Sequence, residues 1–152
     1  MLLAAALFLA AQPLTEPTDG CPGIWVPFEA HSARLNREAL ESIERLLLWV
    51  RPMTSAGAWL NVIGTANDAG SADANMRLSR RRAETVRDYL LRRGFRGEQL
   101  RVLPRGDRGP PVTADPQPDS EAERAINRVT IVHPEMPLSV FHRFVPPGGP
   151  IC

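Results

Sequence analysis

Lysine is absent from this chain: all eighteen basic residues are arginine, set against seventeen acids for a net charge of +1. A molecule so near neutrality has no overall field to draw it onto a polyanion, so any basic function must be local. Most of the arginines fall on positions that read as solvated helix faces, and the preference for arginine carries no mechanism of its own. Histidine is scarce. His31, His133 and His142 show no metal-ligand spacing, and neither a Cys and His pattern nor a G-x-S-x-G elbow occurs. These absences predict a protein that is not an enzyme and uses no metal or cofactor. Long hydrophobic runs are missing too, since the apolar stretch 2–11 is too short to span a bilayer. There is no internal repeat.

What is present suffices for one folded domain. The 152 residues are 43% hydrophobic and 23% charged, ordinary values for a globular chain. Most of the fifteen prolines cluster before Ile24, between Pro104 and Pro118, and after His133, so they punctuate the periodic segments. The stretch LLAAALFLAA, residues 2–11, has the length of a signal-peptide h-region with cleavage near Ala11, although no Lys or Arg precedes it. This predicts export, and three parts: residues 1–20 as signal peptide or apolar segment plus linker, 21–133 as the domain, 134–152 as a Pro/Gly-rich tail. Thr18, Asp19 and Gly20 before Cys21 disfavour lipid attachment, which leaves an N-terminal anchor as the route to a membrane. An even pair of cysteines in an exported chain favours a disulfide, here Cys21 to Cys152, with two free thiols as the alternative. Closing a loop of about 130 residues would contribute about 4–5 kcal/mol on the chain-entropy model.

Residues 24–28 (IWVPF) read as a strand, and Asn36 as the N-cap of a helix over 37–51, where Leu40, Ile43, Leu47 and Val50 recur at helical spacing and Pro52 is expected to stop it. Residues 58–63 read as a second strand and 71–93 as a second helix with Gly94 after it. Residues 100–103 give a third strand, 119–125 a short helix, and 129–132 a last strand that Pro134 and Pro137 are expected to end. The order β-α-β-α-β-(α)-β predicts an α+β two-layer sandwich, with helices on one face of a four-stranded mixed sheet. Residues 138–145 (LSVFHRFV) are apolar enough to dock on the domain.

One residue of the second helix is on the wrong face. At ~100° per residue, Leu78, Ala83, Val86, Tyr89 and Leu90 share an apolar arc. Arg82 and Asn75 fall on that arc, while Arg77, Arg80 and Arg87 fall opposite. A guanidinium there must meet a carboxylate, backbone carbonyls or a bound anion, because a desolvated, unpaired charge is costly. Two roles stand open. Arg82 is either a packing arginine paired to an internal acid such as Asp68, or part of a ligand site in which its planar fork grips a carboxylate and Asn75 adds an amide. Ser79 reads as a helix serine against a neighbour.

A strand, GTANDAG, then N-x-x-LS-x-x-RA-x-x-V-x-x-YL, then a glycine and a strand together resemble the OmpA-like C-terminal domain. VPFEAHSARL upstream, with RGDRGPPV and RAINRVTI downstream, extends the resemblance over residues 25–133. It implies noncovalent binding of peptidoglycan through the diaminopimelate of the stem peptide. In that family an aspartate of the loop after strand two holds the ammonium and the helix arginine holds the carboxylate. Arg82 matches the arginine, and Asn75 the asparagine ahead of LS. The aspartate position is Asn67, with Ala66 in place of a threonine, and NRRV appears as Asn127, Arg128 and Val129, one arginine short. An amide oxygen carries no charge, so binding is expected to be weaker or lost unless the neighbouring Asp68 supplies it.

The expected function is therefore an exported envelope protein, in the periplasm or at the outer membrane of a Gram-negative bacterium, that binds peptidoglycan through Asn67, Asp68, Asn75, Arg82 and Arg128. The alternative is a degenerate OmpA-like module that serves as a structural or protein-interaction part of the envelope. Nucleic acid is not an expected partner: Arg77, Arg80, Arg81, Arg82, Arg87, Arg92 and Arg93 crowd one helix but scatter around it, with Glu84 and Asp88 among them.

Overall fold

Two side chains fix where the helices begin. The Asn36 side chain accepts the Ala39 N–H at 2.9 Å, and Ser71 Oγ accepts the Ala74 N–H at 3.2 Å. Each satisfies a backbone donor that the first turn would otherwise leave unpaired. The helices are α1, Arg37–Ser55, and α2, Ala72–Arg92. At the far end of α2, Gly94 takes φ of 92°. Its N–H reaches the Leu91 carbonyl and that of Phe95 the Leu90 carbonyl, which is the left-handed stop that glycine makes without strain. The computed structural model describes residues 24–68, 70–108 and 128–136. The expectations for residues 1–20, for a Cys21 to Cys152 disulfide, for a helix at 119–125 and for the tail from 137 onward lie outside them.

The four strands are β1 (Ile24–Pro27), β2 (Trp59–Gly64), β3 (Leu100–Pro104) and β4 (Val129–Glu135). They line up as β1-β4-β2-β3. β2 and β3 run parallel, while β4 is antiparallel to both its neighbours. The sheet is mixed, and the predicted architecture is the one found. Strand alternation sends Val26, Leu60, Val62, Leu100 and Val132 into one core with Ile43, Leu46 and Val50 of α1 and Val86 and Leu90 of α2. Both helices therefore cover the same face. At Gly64 the approach of α2 is so close that a Cβ would lie 2.1 Å from the Ser79 carbonyl oxygen, so only glycine fits.

Two of the three prolines expected to end elements, Pro52 and Pro134, lie within them, and Pro137 lies outside the described residues. Pro52 is inside α1, which runs one more turn to Ser55. The carbonyl that proline deprives of a partner is that of Leu48, four residues back. Leu48 is 81% exposed, so water is at hand for it. Pro134 is paired with Leu60 inside β4. The Thr65 N–H donates to the Val129 carbonyl, which sets the alternation: residues 131, 133 and 135 face β2 with their backbone groups and Pro134 turns its nitrogen away. Among the described residues β1 pairs no further along β4 than Val132, so there the missing donor breaks no bond.

Candidate functional site

The guanidinium of Arg82 is the largest fully buried side chain among the described residues, with 0% exposure. Two loops converge on it. Nε donates to the Ser32 carbonyl at 2.8 Å, Nη1 to the Thr65 carbonyl at 3.0 Å, and Nη2 to the Glu29 carbonyl at 3.0 Å. Nη2 also meets Asp68 Oδ2 at 3.0 Å in an ion pair whose side chains are 0% and 3% exposed. The Phe28 ring lies 5.4 Å from the guanidinium carbon. Arg82 thus ties the loop after β1 and the loop after β2 to the middle of α2. Burial pushes its pKa down from the ordinary value, and the nearby charges of Arg128 and Arg81 act the same way, against the Coulombic pull and hydrogen bond of Asp68.

The loop after β1 is shaped to present its carbonyls. The Ser32 N–H closes a turn on the Glu29 carbonyl at 3.2 Å, and His31 inside that turn holds φ of 56°, a left-handed conformation unusual for a residue with a Cβ. The loop after β2 is held as firmly. Thr65 Oγ1 donates to the Val129 carbonyl at 2.8 Å, and the Asp68 N–H donates to Asn75 Oδ1 at 3.2 Å. Asn75 is buried, with 4% exposure. Its role is to hold the backbone of Asp68, one turn of α2 ahead of Leu78.

Of the residues singled out from sequence, Asp68, Asn75 and Arg82 form one hydrogen-bonded cluster. Asn67 is half-buried and takes no part in holding Arg82. Arg128 lies at the start of β4, where its carbonyl accepts the Phe28 N–H at 2.9 Å and its charge is felt at Arg82. The guanidinium itself has no accessible surface, so in this state it cannot grip a ligand carboxylate directly. Asp68 differs. Its Oδ1 is buried without a hydrogen-bond partner.

Sequence reasoning did not foresee the carbonyls of Glu29, Ser32 and Thr65, which carry no side-chain signature. It also treated Ser79 as incidental. Ser79 is fully buried; its Oγ donates to the Met76 carbonyl at 2.9 Å and accepts the Gly106 N–H at 2.9 Å. It pins the turn after β3 to α2. Two surface hollows lie elsewhere, one along the first turns of α1 at Arg37, Glu41 and Glu44, the other at the helix C-termini around Arg51, Phe95 and Gln99. Among the described residues no group of three or more His, Cys, Asp or Glu is placed to hold a metal ion, and no helix is long and apolar enough to cross a membrane.

Comparison with known proteins agrees with the architecture. The chain is similar to the peptidoglycan-associated lipoprotein of Rhizobium meliloti (strain 1021), with 28% identity over 88 residues, 58% of this chain and 49% of that protein. It is also similar to outer membrane protein A of Yersinia pseudotuberculosis serotype I (strain IP32953), with 28% identity over 111 residues, 66% of this chain and 31% of that protein. The chain therefore matches about half of one curated relative and under a third of the other. Among solved structures, the peptidoglycan-associated lipoprotein from Burkholderia pseudomallei superposes with a TM-score of 0.63 at 21% identity, covering 82% of this chain and 100% of that one. The C-terminal domain of Helicobacter pylori MotB gives a TM-score of 0.64 at 21% identity, covering 79% and 90%. At such identities these two matches speak for the fold. Residues 27–125, well over half of the chain, match the OmpA family, and the chain belongs to that family.

Proposed function

We propose that this protein is an exported cell-envelope protein of a Gram-negative bacterium that contacts peptidoglycan noncovalently, at the diaminopimelate of the stem peptide, through the loop between β2 and α2. It is a binding module and not an enzyme. The observation that carries this reading is the Asp68 carboxylate, with one oxygen held by Arg82 and the other buried and unpartnered. A buried acceptor with no donor costs about 1–3 kcal/mol. This oxygen is as closed to solvent as the guanidinium, and an ammonium group that reached it as the loop opens would supply that donor. Asp68 then provides the charge that Asn67, at the family's aspartate position, lacks. Arg82 is a positioning residue in this scheme: it fixes Asp68 and the loop, and meets a ligand carboxylate only when the loop opens. Support also comes from the relatives, two of which are named peptidoglycan-associated lipoproteins.

A second reading is favoured by the complete burial of Arg82 and its three carbonyl partners. In it the cluster is structural, and the domain is an interaction module of the envelope without peptidoglycan binding. Sedimentation with purified sacculi separates the two. The first reading expects the mature protein to sediment weakly, free diaminopimelate to release it, and Asp68→Asn to stay in solution although folded by circular dichroism. If the natural sequence stays in solution and only Asn67→Asp sediments, the second reading stands and the first is lost.

A further inference from the structure

The near-neutral balance of the whole chain hides one uneven corner. The ends of α1 and α2 are joined there by Arg51 Nη2, which donates to the Arg93 carbonyl at 2.9 Å, and Arg92 and Arg96 lie close by in the chain. Two of these four arginines have acids. Arg93 pairs with Glu44, whose other oxygen accepts from Tyr89, and Arg96 pairs with Glu98 at 3.1 Å. Arg51 and Arg92 are in ion-pair contact with no carboxylate among the described residues. They lie against rings instead, Phe95 and Tyr89, each with its centroid 5.6 Å from the guanidinium carbon. Four guanidinium groups thus meet two carboxylates, a surplus of two positive charges in a chain whose total is +1.

A hollow of about 390 Å³ opens at this corner, with Arg51, Ser55, Phe95, Arg96 and Gln99 in its lining, a size that suits a small ligand. An anion ordinarily avoids helix C-termini, where unpaired carbonyls carry partial negative charge. Here those carbonyls are occupied. That of Arg93 accepts from Arg51 and that of Thr54 from Gln99 Nε2 at 3.0 Å, while those of Leu90 and Leu91 accept from the Phe95 and Gly94 N–H groups. Arg51 is backed by the Phe95 ring and engages only Nη2, so most of its five N–H donors are left for a ligand. Arg96 meets Glu98 through Nε alone, and the two side chains are 69% and 72% exposed. So open a pair holds weakly and yields to a stronger anion. Ser55 is exposed and adds a hydroxyl.

We infer that this hollow is a phosphate-binding site, in which Arg51 and Arg96 hold the phosphate oxygens and the Ser55 hydroxyl is a third donor. A planar carboxylate is satisfied by the fork of a single guanidinium. Donors supplied from two elements, α1 and the turn after α2, suit the tetrahedral oxygens of a phosphate, and its second charge matches the local surplus. The hollow lies at the C-terminal end of α2, whereas Asn75 and the Asp68 loop lie at the other end. The 17 residues from Asn75 to Arg92 span roughly 25 Å at ~1.5 Å each, so the two sites are separate and can be filled together. The phosphate is either that of a soluble ester or that of a lipid headgroup.

Titration of the full chain with inorganic phosphate, exchanged for chloride at constant ionic strength and followed by backbone amide NMR shifts, tests the assignment. The amides of Ser55, Gly94 and Arg96 shift along a saturating curve. Arg51→Gln and Arg96→Gln each weaken the binding about tenfold or more, while Arg92→Gln, which removes the same charge outside the hollow, leaves it nearly unchanged. Shifts that do not saturate, or an equal loss in all three variants, would overturn the proposal, because the corner would then gather only a diffuse ion atmosphere. Sedimentation with phosphatidylcholine vesicles that carry phosphatidic acid identifies the source. Retention that Arg51→Gln abolishes assigns a lipid headgroup, and saturable phosphate binding without retention assigns a soluble ester.

Discussion

Two arginine–carboxylate pairs, one within helix α2 and one at its C-cap, have the same chemistry and opposite circumstance. Arg82 and Asp68 are 0% and 3% exposed, whereas Arg93 and Glu44, about three turns along, are 44% and 42% exposed. The inner guanidinium is fixed by three backbone carbonyls besides the acid. The outer pair shares its carboxylate with the Tyr89 hydroxyl at 2.6 Å, and water reaches every member. In the exposed pair, loss of either partner exchanges a protein contact for a hydrated one. In the buried pair the survivors have nowhere to go, so the arginine is indispensable whether or not the pair as a whole adds net stability.

Removing the buried guanidinium is the harshest way to press this contrast. Arg82→Ala strands the Asp68 carboxylate and three loop carbonyls together, and is expected to lower unfolding stability by about 3–5 kcal/mol. Urea denaturation would show it as a large drop in midpoint, and a loss under about 1 kcal/mol would mean that the buried pair behaves like an exposed one. Asp68→Asn comes next. The amide keeps a hydrogen-bond acceptor for Nη2 while Arg82 retains its carbonyls, so the expected loss falls to about 1–3 kcal/mol. The double variant Asp68→Asn/Arg82→Ala should then cost less than the two single losses added together, since the partners are in direct contact.

The helix period alone located the buried side of this contrast. Arg82 and Asn75 stand among Leu78, Val86 and Leu90 on the wheel, and all five are buried. Asp68 was legible as a partner because it is the acid of the adjoining loop. The carbonyl cage was not legible, because it depends on a turn around His31 and on where the loop after β1 passes, which no side-chain pattern records. The strands and their mixed sheet were readable from alternation and β-branching. The misreadings fell on Pro52 and Pro134, where a local rule supplied the missing hydrogen bond but not the direction in which it would have pointed. Both freed positions face away from the partner that matters, and the elements run on.

The exposed pair provides the smallest effect and the finest check. The Tyr89 hydrogen bond first, and then Arg93, hold the Glu44 carboxyl below its ordinary value, while the same contact with Glu44 raises the tyrosine hydroxyl above its own. A carboxylate depressed in the folded state contributes stability above its unfolded pKa and loses it as pH falls through the folded value. The tyrosine contribution is present below the ordinary tyrosine pKa and is lost as pH rises through the raised one. Urea midpoints for the natural protein and Glu44→Gln, taken from about pH 7 down to about pH 3, should differ slightly near neutrality and converge in acid. Added salt should shrink that difference, while the cost of Arg82→Ala barely moves with salt, because ions do not reach a pair sealed under two loops. Equal salt sensitivity at both pairs would show that burial is not what separates them.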